Sequence, residues 1–145
     1  MTHELLRSAL AIATLALGVT ASAQEPIALP SDVAAVTIGG HWSSGSRAGI
    51  YRVVIQTGGW EHVVSQAQID WIADPVDRDN DPQIISSKVL PTGSWRLDRP
   101  HLVRSAGKWQ VVLEGTETHT TPPTRAKWIF QLGAPGEVKP IRAPR

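Results

Sequence analysis

Cysteine is absent from this 145-residue chain, and tyrosine, phenylalanine and methionine occur once each. Without cysteine there can be no disulfide staple, no thiol nucleophile and no cysteine metal site. Neither sign of charge dominates, since 14 basic and 13 acidic residues leave a net charge of +1. That balance gives no electrostatic reason to expect nucleic acid or an anionic membrane as a partner. Helical periodicity is missing too: past the N-terminal apolar run, no stretch repeats apolar residues at the spacing of a helix face. That run, Ser8 to Val19, falls short of the roughly 20 residues a membrane span needs.

What is present begins with a targeting pattern. A short start carrying Arg7, the apolar run, and small residues at Ala21 and Ala23 before Gln24 have the three parts of a secretory signal peptide. The expectation is therefore a signal over residues 1–23, a periplasmic or secreted protein, and no stable membrane span after cleavage. Small eukaryotic secreted domains are usually disulfide-stapled, so an exported chain with no cysteine points toward a bacterial envelope. Residues 24–32, with two prolines, read as an extended lead-in. Residues 33–132 read as one domain, and 133–145 as a proline- and glycine-rich basic tail.

Within 33–132 the recurring unit is a short β-branched or aromatic run broken by glycine, proline or aspartate. Strands are expected near 33–38, 49–57, 60–73, 83–90, 94–97, 101–104, 108–114 and 126–132. This pattern predicts an all-β antiparallel sandwich, immunoglobulin-like or a similar Greek key of seven to eight strands, with a small β-barrel as the alternative. Gly58-Gly59 marks a hairpin turn, since glycine accepts the positive φ of tight turns. A two-residue loop there would pair Thr57 with Trp60, Ile55 with His62 and Val53 with Val64, placing Tyr51, Val53 and Ile55 on the inner face. In that register the apolar phase reverses before Ile69, Trp71 and Ala73, so a bulge or sharp bend is expected around Ser65 to Gln68.

Six tryptophans are many for one small domain. Trp71, Trp109 and Trp128 are in phase with apolar neighbours and are expected in the core. Trp42 and Trp60 sit beside glycine-rich turns and close to His41 and His62. Trp42, Trp60 and His62 are therefore the candidate ligand-binding residues, an aromatic surface for a sugar ring or a protein partner.

The segment "DPVDRDNDP" suggests a metal site through Asp74, Asp77, Asp79 and Asp81. As a calcium loop starting at Asp77, it has the right residues at positions 1, 3 and 5. It then carries Pro82 where glycine is needed and Lys88 where a bidentate glutamate is needed. An irregular calcium cage is the one cofactor left open, and a solvated turn is the simpler reading. His41, His62, His101 and His119 show no metal-ligand spacing. No serine sits in a G-x-S-x-G elbow, so no catalytic residue is assigned.

The functional expectation is an exported, monomeric, non-catalytic β-sandwich that binds a protein or glycan partner in the cell envelope. A small secreted hydrolase using carboxylates or a histidine is the alternative.

Overall fold

Alternation along one strand sets the inside of the molecule. Tyr51, Val53 and Ile55 are 2%, 0% and 0% exposed, while Arg52, Val54 and Gln56 between them stay in partial contact with solvent. A period of two with one face apolar is what a strand half-buried against a core requires. The expected inner face of this strand is the observed one.

The computed structural model describes residues 30–59, 63–75, 81–117 and 119–142. Among them are eight strands and no helix: β1 (Val33–Ser44), β2 (Arg47–Gly58), β3 (Val64–Ala73), β4 (Gln83–Leu97), β5 (His101–Ser105), β6 (Lys108–Glu117), β7 (Thr124–Leu132) and β8 (Val138–Arg142). They form one antiparallel sheet in the order β1-β2-β3-β4-β6-β7-β8, with β5 also on β6. The all-β antiparallel architecture expected from the sequence is the one found. Sheet neighbours are sequence neighbours almost throughout, so the chain meanders up and down.

The sheet folds over at β4. Its first part pairs with β3 as far as Leu90 opposite Ala67, and Trp95 then faces Ser65. The three extra residues this requires lie in the stretch Pro91 to Ser94, where Gly93 takes φ +71°. Arg96 and Leu97 then pair with Thr116 and Gly115 on β6. The Leu97 amide donates to the Ser65 hydroxyl at 3.1 Å, tying the crossing strand back to β3. β5 continues along the same edge of β6, with His101 opposite Val112. One strand thus serves two lobes, β1–β4 and β4–β8, that share a core of residues from both, including Ile69 and Trp71 of β3 and Leu113, Trp128 and Phe130 of β6 and β7. Fully burying Trp71 removes on the order of 200 Å² from water, worth about 3 kcal/mol or more.

Three expectations are corrected here. The β2–β3 hairpin pairs Gly58 with Val64, Ile55 with Ala67, Val53 with Ile69 and Tyr51 with Trp71, so the connection is longer than a two-residue turn. In this register Ala67, Ile69, Trp71 and Ala73 share the inner face with Tyr51, Val53 and Ile55. The β2–β3 ladder runs unbroken from Gly49–Ala73 to Gly58–Val64. The bend expected at Ser65 to Gln68 therefore lies in β4. The supposed phase reversal came from pairing the hairpin five residues too tightly. The segment after Gly133, read as a tail, also contributes a strand: β8 pairs with β7 from Leu132–Val138 to Ile129–Arg142.

Candidate functional site

The shared core opens at one end into a cleft of about 320 Å³. Four parts of the chain wall it, one of them Tyr51 of β2 at its base. β1 supplies His41, Trp42 and Ser43. The β5–β6 turn and the start of β6 supply Gly107, Lys108 and Trp109. The end of β7, its connection to β8 and β8 itself supply Gln131 to Ala134, Glu137 and Lys139.

Each wall is fixed by a local cause. In β1 a bulge separates the pairs Gly39–Tyr51 and Trp42–Gly49, with Gly40 at φ +66°. A Cβ on Gly40 would lie 2.9 Å from both Trp109 Cδ2 and Tyr51 Cδ2, so glycine there lets Trp109 lie on the β1 backbone. The β7–β8 connection is closed by Gly133 N–H to Glu137 O at 3.0 Å and Glu137 N–H to Ala134 O at 2.8 Å. From below, the Tyr51 hydroxyl and the Trp71 indole N–H each donate to the Gly133 carbonyl at 3.1 Å. Tyr51 and Trp71 are a direct cross-strand pair in edge-to-face contact, with ring centroids 6.2 Å apart. Burial pushes the Tyr51 phenol above its ordinary pKa, so it stays a neutral donor. The core of one lobe thus holds the cleft wall of the other.

A second recess, about 520 Å³, adjoins the first. It follows the seam between β1 and β5, with Thr37 to Gly40 on one side and Arg99 to Leu102 on the other. The Thr37 hydroxyl crosses the seam to donate to the Pro100 carbonyl at 3.0 Å. Trp109 lines both recesses. Its strand partners inside the core, Val111 and Leu113, are 0% exposed. Trp109 is the first inward position of β6, where the sandwich ends, so it is only half-buried.

The expected site residues divide three ways. Trp42 is 4% exposed, and its indole N–H donates to the Ile50 carbonyl at 3.1 Å. It is a core residue and not an aromatic platform. The cause is the Gly40 bulge, which shifts β1 by one residue and turns Trp42 to the face shared by Gly49 and Tyr51. Trp60 and His62 lie outside the described residues, as do Asp77 and Asp79. Asp74 and Asp81 are both exposed. Among the described residues no group of three histidine, cysteine or carboxylate side chains is placed to hold a metal ion. Trp71 and Trp128 are in the core as expected, 0% and 2% exposed, whereas Trp109, like Trp95, is only partly buried and packs against the core from its edge. The available signal for Trp109 was its place directly after Gly107-Lys108, at the start of its strand.

A polar cluster on the outer face of the first lobe has the opposite character. Asp70 is 0% exposed although it points away from the core. Its Oδ2 accepts from Arg52 Nη2 at 2.7 Å and Nε at 2.9 Å, and its Oδ1 accepts from Gln68 at 2.7 Å and Ser87 at 2.6 Å. Arg52, Asp70 and Ser87 are direct cross-strand partners on β2, β3 and β4. Every acceptor site in use is met from within the sheet, so this cluster binds strands to one another.

No family model matches the chain, and comparison with curated proteins and with solved structures gives no match.

Proposed function

We propose that this chain is an exported, non-catalytic binding domain of the cell envelope, and that the cleft beside Trp109 is its ligand surface. The observation that carries the reading is a half-buried tryptophan at the mouth of a concave, polar-walled recess whose backbone is held rigid from beneath. Ligand sites are concave, largely pre-formed and of roughly 300–1,000 Å³, and aromatic surface with one wet edge is enriched where proteins bind. The targeting pattern of residues 1–23 supports export, with a periplasmic or secreted location.

The hydrolase alternative has less support. Glycoside hydrolysis needs two carboxyl groups facing one another across about 5–9.5 Å. Of the described residues lining the two recesses, Glu137 alone carries a carboxyl group.

Intrinsic tryptophan emission tests the binding reading, with the purified protein titrated against neutral and acidic oligosaccharides and soluble envelope extract. The expected result is a saturable change that Trp109→Ala removes. No change with any of them would refute the reading.

A further inference from the structure

We infer that the ligand is an acidic oligosaccharide strand of at least two units, lying across Trp109 with one part in each recess. This rests on the binding reading above and names its ligand class.

Length comes from the geometry. The two recesses are separate volumes, about 320 and 520 Å³, and Trp109 is a wall of each. A ligand confined to one would use only one side of that wall. A chain crossing from one to the other covers the exposed part of the ring and reaches polar groups at both ends.

Charge comes from the lining. The recesses together present Lys108, Lys139 and Arg99 as fixed cations, with His41 and His101, against Glu137 as the single carboxylate. None of the three cations has a carboxylate within 4.0 Å among the described residues; Arg47, Lys88, Arg96, Arg104 and Arg142 are likewise without an ion pair, so what marks the groove is that three such cations line it together. The chain as a whole carries only +1, so the positive excess is a local property of this groove. Such a groove concentrates an anionic ligand.

The choice of a glycan over single-stranded nucleic acid follows from the aromatic count. Proteins that track nucleic acid strands combine a basic groove with successive stacking rings. Here Trp42 and Tyr51 also line the first recess but are 4% and 2% exposed, so Trp109 is the one indole or phenol ring among the described lining residues with a face open for stacking, and net charge does not favour a polyanion at large.

The test is isothermal titration calorimetry of the purified protein with defined tetrasaccharides. Oligogalacturonate and chondroitin sulfate supply carboxylate and sulfate. Cello-tetraose and chito-tetraose are the neutral comparators, and galacturonic acid and a ten-residue oligothymidylate complete the set. At least one acidic tetrasaccharide is expected to bind tenfold or more tighter than either neutral one and than galacturonic acid. Added salt should weaken that binding. Lys139→Gln and Arg99→Gln, at exposed sites, should each lower acidic affinity several-fold and lower neutral affinity by a smaller factor. Trp109→Phe should retain more affinity than Trp109→Ala.

Equal affinity for neutral and acidic tetrasaccharides overturns the charge inference and leaves the binding reading standing. Equal affinity for galacturonic acid and its tetramer overturns the two-recess inference. Tighter binding of the oligothymidylate overturns the glycan assignment. No heat and no emission change with any ligand removes the binding reading itself.

Discussion

Two polar regions of this small domain differ in whether their charges are partnered. Around Asp70, on the outside of the first lobe, a carboxylate with no solvent exposure takes four hydrogen bonds from Arg52, Gln68 and Ser87. At the end of the sandwich, Lys108, Lys139 and Arg99 face two recesses with no carboxylate within ion-pair distance among the described residues. A charge satisfied inside the fold has been spent on structure. A charge left exposed in a concave wall is available to something outside the fold. The contrast separates residues that hold the strands together from residues that can meet a ligand.

The sharpest way to break this contrast is to truncate one cation of each region. Arg52→Met leaves the buried Asp70 carboxylate with only its neutral partners, and removing one member of a buried pair costs about 3–5 kcal/mol. Arg52 keeps 31% of its side chain exposed, which favours the lower end of that range. Lys139→Met should stay within about 0.5 kcal/mol, as surface changes do. Urea unfolding of the two variants measures both, and equal losses would erase the distinction.

Gly40→Ala tests how the cleft is built. The new Cβ would press on Trp109 and Tyr51 at 2.9 Å, in a backbone conformation of φ +66°. A cost of about 2 kcal/mol is expected from overpacking and left-handed strain together. Ligand affinity should fall with it because Trp109 must move. A stability loss with unchanged affinity would show that Trp109 is not the ligand wall.

Tyr51→Phe removes one of the two donors to the Gly133 carbonyl and is expected to cost about 1 kcal/mol. Its pH signature is specific. Burial raises the phenol pKa in the folded state, so the stability from keeping it neutral is complete below the ordinary value of about 10. That stability is lost as pH rises through the higher folded value. Tyr51 is the only tyrosine, so tyrosinate absorbance reports it alone. The alkaline fall attributable to this group should vanish in the phenylalanine variant.

The smallest effect belongs to the exposed pair Lys127–Glu114 at 3.0 Å. The hydrogen bond from Lys127, and then its charge, lower the Glu114 pKa. This stability is present above the ordinary glutamate value of about 4.3 and is lost as pH falls through the lowered one. Lys127→Ala should slightly flatten the acid side of a melting-temperature profile and leave neutral pH almost unchanged. A large loss at neutral pH would put this pair in the class of Arg52 and Asp70.

Much of the fold is legible residue by residue. Alternation in Tyr51-Val53-Ile55 and in Val111-Leu113 marks inner faces, and Gly107 and Gly93 fall where the chain turns or bulges. The candidate site was less legible, for reasons visible at particular residues. Trp42 has the sequence surroundings of a surface aromatic, and a single bulge residue reverses its face. Trp109 has the phase of a core residue, and only its place at the end of the sandwich leaves it half-buried. Gly58-Gly59 suits a two-residue turn, yet the inward phase of Ile69, Trp71 and Ala73 sets a register with a longer connection. In that case the fuller apolar pattern outweighs the local turn signal.

The sequence by itself determined an all-β, antiparallel, disulfide-free domain with a nearly neutral charge, because period-two patterning and composition act along the chain. The tertiary structure alone decided where β4 passes from one lobe to the other, and that Gly133 rests on Tyr51 and Trp71. It also decided that His41, Lys108, Trp109 and Lys139 share one cleft. Those contacts join residues far apart in the chain. Their register depends on bulges and on lobe-to-lobe packing, where a one-residue shift exchanges inside for outside.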